Sequence, residues 1–511
     1  MTTAQSDVPA GGVPVALGAR RRRMVESAMA ASDDVTTDGA DPSVADSFPT
    51  KNLAKPEVRD MPPAPKAYRK LIGPGIIAAG VGLASGEFIL YPFIASQVGL
   101  VFIWAAIVGL ITQYFINLEI ERYTLATGET ALTGFSRYGK HLGLFFALLT
   151  YFANLWPGWA TSSATLASYV FGGSPRTIAI GMLLVIGLIL TLAPVVYVAL
   201  ERAQMLKVAA VVLLFLVGAI FAVGADAWAD LPQVVTRPRI PVEVLGLPVL
   251  LGALAFAGAG GGQNLVQANW IRDKGFGMGT YVPRLVSPIT GQPEAAPSTG
   301  YVFEPTDTNM ARWRGWWKFA NLEQLCTFVL ITFLTILFTS LLAYSTVYGR
   351  EDLSNDISFI KTQGEVLAER VGPWFKFFFW IIGSFSLFAA ALGIVDYTSR
   401  LAADVLKTSY ARQANESKMY AGLVWGLVGI GIVVLLLGFD QPIVLLVIAA
   451  VVGGFMMFLY SGLLILINRR TLPAPIRIRG FRLAMLIWAI VLFGTLSILT
   501  FQSQIARLLG G

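Results

Sequence analysis

Eleven stretches of mostly apolar residues, each long enough to cross a bilayer, recur along this chain. They lie at 71–95, 99–121, 141–170, 177–199, 205–223, 245–269, 319–345, 374–398, 419–438, 442–467 and 483–503. A helix of about 20 such residues spans the hydrocarbon core. In hydrocarbon every backbone polar group must be satisfied within the spanning structure, and the alternating segments of a membrane barrel do not appear. The expected class is therefore all-α: a polytopic membrane protein with about eleven transmembrane helices. Charged residues make up only 14% of the chain, against roughly 25% in soluble domains.

Several chemistries are excluded at once. Cys326 is the single cysteine and His141 the single histidine, so no internal disulfide and no Cys- or His-rich metal cluster is expected. No phosphate-binding loop, zinc signature or nucleophile elbow is present. The expectation is a protein that is not an enzyme and has no cofactor. The net charge of +7 reports topology rather than nucleic-acid binding. With a cytoplasmic N-terminus, twenty of the 38 Lys and Arg residues fall in inside loops and eight in outside segments. That count includes Lys207 as an inside-loop residue. It predicts a multi-pass protein of the inner (plasma) membrane, in contact with lipid, with the C-terminus outside.

Residues 1–65, rich in Ala, Asp, Pro and Thr, read as a disordered cytoplasmic tail; 66–511 form the transmembrane part. The inside segment 271–318 is long and aromatic. It reads either as a docked inner gate or as an interfacial anchor through Trp313, Trp316 and Trp317. Asp396 and Arg400 are spaced for an ion pair on one helix face. Glu119, Glu121 and Arg122 read as solvated charge at the inner end of span two.

Spans one and six carry the chemistry. Span one places Gly82, Ser85, Gly86 and Glu87 near its centre; span six has Gly258, Gly260, Gly261 and Gly262 before Gln263 and Asn264. Glycine weakens a helix by about 1 kcal/mol relative to alanine. Interrupted helices at matching positions of two five-span halves mark a transporter's midplane site, where freed carbonyls and half-helix ends hold an ion or solute. The other reading is close helix packing through small residues. Glu87, an acid near the centre of a span, is the prime candidate to ligate a cation or carry a proton, or else it satisfies backbone donors of the broken helix. Asn154, beside Trp156 and Pro157, faces either the cavity or a neighbouring helix.

The motifs GPG at Gly73–Gly75, ATGET at Ala126–Thr130 and LLVIAAVV at Leu445–Val452 give a chain that resembles the NRAMP divalent-metal transporter superfamily over roughly 71–505. The resemblance implies two inverted five-helix repeats, as in the leucine transporter, at about 71–223 and 245–467, plus an extra helix at 483–503. It maps the family's span-one metal motif onto Ala84, Ser85, Gly86 and Glu87, and its span-six motif onto Phe256, Ala257 and Gly258. Asn154 stands where the family has a proton-handling Asp. The soft ligand and the aspartate are gone. Glu87, Ser85, free carbonyls, Gln263 and Asn264 form an all-oxygen set suited to hard cations such as magnesium or manganese. The leading expectation is a divalent-cation transporter. The alternatives are a transporter of a small organic solute and a non-transporting receptor.

Overall fold

The structure is a computed structural model. It describes residues 43–65, 73–83, 85–193, 195–286, 288–289, 299–350 and 356–508. Its helices are α1 (Pro74–Gly82), α2 (Tyr91–Val98), α3 (Trp104–Thr127), α4 (Ala131–Tyr138), α5 (Leu142–Ala153), α6 (Gly158–Phe171), α7 (Pro175–Leu192) and α8 (Val196–Phe221). The second half holds α9 (Leu247–Ala255), α10 (Gly262–Lys274), α11 (Asp307–Glu323), α12 (Leu330–Val347), α13 (Phe359–Val371), α14 (Pro373–Ser409), α15 (Glu416–Leu436), α16 (Pro442–Arg470) and α17 (Phe481–Leu508). Among the described residues, eight helical runs are long and apolar enough to cross a membrane unaided. The other three expected spans are helical as well. Two are broken internally, into α5 with α6 and into α9 with α10, and the third is α3 with its charged end.

The breaks have local causes. Span one passes from α1 through a wide π-turn, Ser85–Leu90, into α2. Span six stops at Phe256 and resumes at Gly262; Gly258, Gly260 and Gly261 adopt φ of +114°, +61° and +58°. These are left-handed conformations that side chains rarely tolerate. The two breaks cross in contact: a Cβ on Gly82 would lie 2.2 Å from the Gly258 carbonyl oxygen, and one on Gly86 2.0 Å from that of Phe256. The glycines therefore serve both the conformation and the close approach.

Part of the expected tail is ordered. Residues 44–65 run as a strap across one end of the bundle, here the N-terminal face. Strand β1 (Glu57–Val58) pairs in parallel with β2 (Tyr301–Val302). The Ser47 hydroxyl donates to the Thr471 carbonyl at 2.8 Å, and Trp316 Nε1 to the Pro62 carbonyl at 2.9 Å. Phe48 and Met61 are buried. Residues 1–42 lie outside the described residues. The expected 271–318 loop is partly helix, since α11 begins at Asp307. Trp313 and Trp316 are buried within the protein rather than standing at a lipid interface, because strand β2 and the strap cover them.

Charges on this face are also less exposed than expected. Glu119, Glu121 and Arg122 are buried, not solvated. Arg122 pairs with Glu119 at 2.7 Å and lies over the Trp317 ring. Arg400 does pair with Asp396, at 3.0 Å, and it also reaches Asp273 on α10. Arg272 bonds Asp404 at 2.7 Å, and Arg137 holds Glu129.

Candidate functional site

Broken helices expose backbone groups, so the first question is where those groups go. In span one, the Ala78 carbonyl accepts from Gln263 Nε2 at 2.7 Å and the Gly80 carbonyl from Lys207 Nζ at 2.5 Å. The Leu83 carbonyl accepts from the Ser386 hydroxyl at 2.9 Å, and the Glu87 carbonyl from the Thr339 hydroxyl at 2.6 Å. In span six, Gln113 of α3 closes the break from both sides. Its Nε2 donates to the Ala255 carbonyl at 2.9 Å, while its Oε1 accepts from the Ala259 and Gly260 N–H groups at 2.8 and 2.9 Å. Tyr91 caps the Ala253 carbonyl at 2.9 Å and Tyr460 that of Gly261 at 3.2 Å. Each of these carbonyls is taken by a side chain.

Beside the crossing lies a small cavity of about 20 Å³. Its walls include Val81, Gly82, Gly86, Phe256, Gly258, Ala259 and Gln263 from the broken spans, Asn154 and Trp159 from span three, and Ile394, Tyr397, Leu446 and Ala449. Five expected site residues therefore converge: Gly86, Asn154, Phe256, Gly258 and Gln263. Asn154 sits at the break between α5 and α6 and donates from Nδ2 to Tyr397 Oη at 3.0 Å and to the Thr398 hydroxyl at 2.8 Å. Trp159 Nε1 is buried and has no hydrogen-bond partner among the described residues.

The remaining expected residues stand elsewhere. Asn264 turns to Asn117 at 2.6 Å and Tyr460 at 3.0 Å, supporting the helix rather than the cavity. Ala257 is buried against α3, 2.9 Å from where a Cβ on Gly109 would lie. Ala84 and the Ser85 side chain lie outside the described residues. Glu87 is fully buried but is not part of the cavity wall; one of its carboxylate oxygens lies 3.2 Å from where a Cβ on Gly82 would stand. Its charge acts on Lys207 and Tyr91. Among the described residues, no group of three or more His, Cys, Asp and Glu side chains is placed to hold a metal ion.

Lys207, Gln113 and Trp159 are the site residues that sequence reasoning missed. Lys207 was counted as an inside-loop residue although it falls within the stretch started at 205. Helix α8 in fact begins at Val196, and Lys207 is fully buried within it. An ammonium in the core costs several kcal/mol unless compensated; Lys207 Nζ donates to the Gly80 carbonyl, and the charge of Glu87 acts on it. A lysine within reach of a long apolar run was the available signal. Gln113 gave none, since its partners are distant in sequence, and Trp159 gave none, since only the fold brings it to the cavity wall.

No protein-family model matches the chain, and no curated protein matches it. Solved structures do. A mutant of the Eremococcus coleocola manganese transporter superposes with a TM-score of 0.65 at 12% identity, over 92% of both chains. The same transporter in complex with an aromatic bis-isothiourea compound gives 0.62. MhsT in complex with L-phenylalanine gives 0.50 at 11% identity, over 86% of this chain and 99% of MhsT. The chain has the fold of these transporters. It is the helical, leucine-transporter-like architecture that the motifs implied, and the chain is a multi-pass membrane protein with the fold of a secondary transporter. At these identities the likeness concerns the fold alone.

Proposed function

We propose that the protein is a secondary transporter whose cargo is a small organic solute carrying a hydrogen-bond acceptor, bound where spans one and six cross. The observation that carries this reading is Trp159, a residue of the cavity wall whose buried Nε1 has no hydrogen-bond partner among the described residues; aromatic and apolar groups, amides and glycines make up the rest of the wall. An N–H group bonds a carbonyl or carboxylate and repels a metal ion. Pockets of mostly apolar lining with a few placed polar groups suit organic ligands. The domain layout follows the two repeats and the extra helix given above, with the N-terminal face and the strap on the cytoplasmic side.

One observation favours the second reading, a divalent cation such as magnesium or manganese as cargo. Glu87 is a buried carboxylate at the crossing, and losing one negative ligand weakens a divalent ion far more than a neutral solute. Against it stand the capped carbonyls, two of them taken by Lys207 and Gln263. Calorimetric titration of the purified protein with magnesium, manganese and a panel of organic solutes separates the two. The solute reading expects binding that weakens about tenfold in Trp159→Phe, the loss of one hydrogen bond of roughly 1.4 kcal/mol, and persists in Glu87→Gln. Cation binding lost in Glu87→Gln and unchanged in Trp159→Phe overturns it.

A further inference from the structure

A helix that stops in the middle of a membrane ends on carbonyls without partners inside it, and that end carries partial negative charge. Helix α1 is such a half-helix: it stops at Gly82, inside the protein. In the broken spans of transporters these ends hold sodium ions or protons. Here the chain brings a group of its own to the end of α1. Lys207 Nζ donates to the Gly80 carbonyl at 2.5 Å, and Lys207 is fully buried.

Three helices build the seat. Gln204, three residues before Lys207 and on the same face of α8, is fully buried and donates from Nε2 to the Ala389 carbonyl of α14 at 2.7 Å. Its Oε1 has no hydrogen-bond partner among the described residues and lies 2.7 Å from where a Cβ on Gly80 would stand. From α14, a Cβ on Gly393 would come within 2.3 Å of Val81 and 3.3 Å of Gln204 Nε2. Ser386, also of α14, takes the Leu83 carbonyl at 2.9 Å. An ammonium has three hydrogens to donate. The Gly80 carbonyl uses one, and the open Gln204 Oε1 stands beside the same glycine.

The surrounding charges are mostly committed elsewhere. Neither α1 nor α12, which both pack on α8, carries a charged side chain. Among the acids of α14 and α10, Asp396 and Asp273 are held by Arg400 and Asp404 by Arg272. Glu201 of α8 takes Lys274 of α10. Glu87, in the turn after α1, is the acid whose charge acts on Lys207.

We propose that Lys207 Nζ is the cation of this site: a proton carried on the chain stands where a free monovalent cation would bind, so the site exchanges a proton with water and takes up no sodium. On giving its proton to water the ammonium becomes a neutral amine, whose lone pair recovers it; no other bond changes. The charge at the end of α1 then comes and goes beside Val81 and Gly82, which line the cavity. The link from that charge to movement of cargo rests on the transporter reading; the proton site does not.

Two measurements on the purified full-length protein test this, and neither needs cargo. Thermal unfolding in detergent compares sodium, ammonium and choline chloride at equal ionic strength. The wild type is expected to melt alike in all three. Lys207→Ala vacates the head-group position and should melt lower, with a saturating rise in Tm on adding sodium or ammonium, since an ion that binds only the folded state stabilises it. Lys207→Met, whose side chain fills the space, should show no such rise. Nitrogen NMR of lysine labelled at Nζ reads the proton itself. The Lys207 signal, assigned by its absence in Lys207→Arg, is expected to switch reversibly between ammonium and amine as pH changes. Sodium-dependent melting of the wild type overturns the proposal, as does a folded Lys207→Ala protein indifferent to both cations. If the alanine variant does not fold, the NMR decides: an Nζ that keeps one form at every pH at which the wild type stays folded overturns it.

Discussion

The crossing of the broken helices and the N-terminal face both bury many polar groups, yet they satisfy them in opposite ways. At the crossing, neutral amides and hydroxyls, with one lysine, cap backbone carbonyls. On the N-terminal face, arginines hold carboxylates: Arg400 with Asp396 and Asp273, Arg272 with Asp404, Arg137 with Glu129. A neutral cap can let go and be replaced by water or cargo at a net cost of about 0.5–1.5 kcal/mol. A buried ion pair that loses one partner leaves a bare charge, at about 3–5 kcal/mol. The difference teaches where the molecule can yield: the centre is adjustable, and the face bearing the strap is latched.

The strongest way to break this comparison is at Arg400. Arg400→Met strands Asp396 and Asp273 in the core, and we expect a loss of about 3–5 kcal/mol in unfolding stability, largely restored by adding Asp273→Asn and Asp396→Asn. Thermal unfolding of the three proteins in detergent measures it, and a silent Arg400→Met would remove the latch. Gln113→Leu sharpens the other side of the contrast. It leaves the Ala259 and Gly260 N–H groups uncapped, for an expected loss of about 1–3 kcal/mol. A loss as large as that at Arg400 would show that the centre is as rigid as the face.

The smallest expected effect concerns acid. Burial pushes the Glu129 carboxyl up, but the adjoining Arg137 guanidinium overrides it and holds the carboxyl below its ordinary value. Stability from this group is therefore present above the ordinary carboxylate pKa, about 4.3, and is lost as pH falls through the lower folded value. Amide exchange in the strap, corrected for its intrinsic pH dependence, should stay constant from neutral pH down to that range and rise below it; Arg137 also anchors the strap through the Ala54 carbonyl at 3.0 Å. A rise already at mildly acidic pH would place the latch on other groups.

Much of the site was legible because its signals are short-range. Gly82 and Gly86 in span one and the glycine run of span six marked both breaks, and Asn154, Phe256, Gly258 and Gln263 do line one cavity. Asn264 misled, since on a helix three or four residues decide between facing a cavity and facing Asn117. Glu119, Glu121 and Arg122 misled for a related reason: charge at a helix end reads as solvated unless the group that covers it, here Trp317 over Arg122, is known. The fate of the strap was equally out of reach, because a two-residue strand pairing across more than two hundred positions leaves no periodicity.

By itself the sequence determined that this chain is helical, lives in a membrane and interrupts two of its spans. Those properties follow from residue content within windows of about 20 residues, since lipid solvates each segment separately. Only the tertiary structure decided which carbonyls remain available, that Lys207 lies in the core beside the break, and that Glu121 and Glu323 are both fully buried. Polar groups removed from water must find partners wherever the fold brings them, and here those partners come from helices more than a hundred residues away.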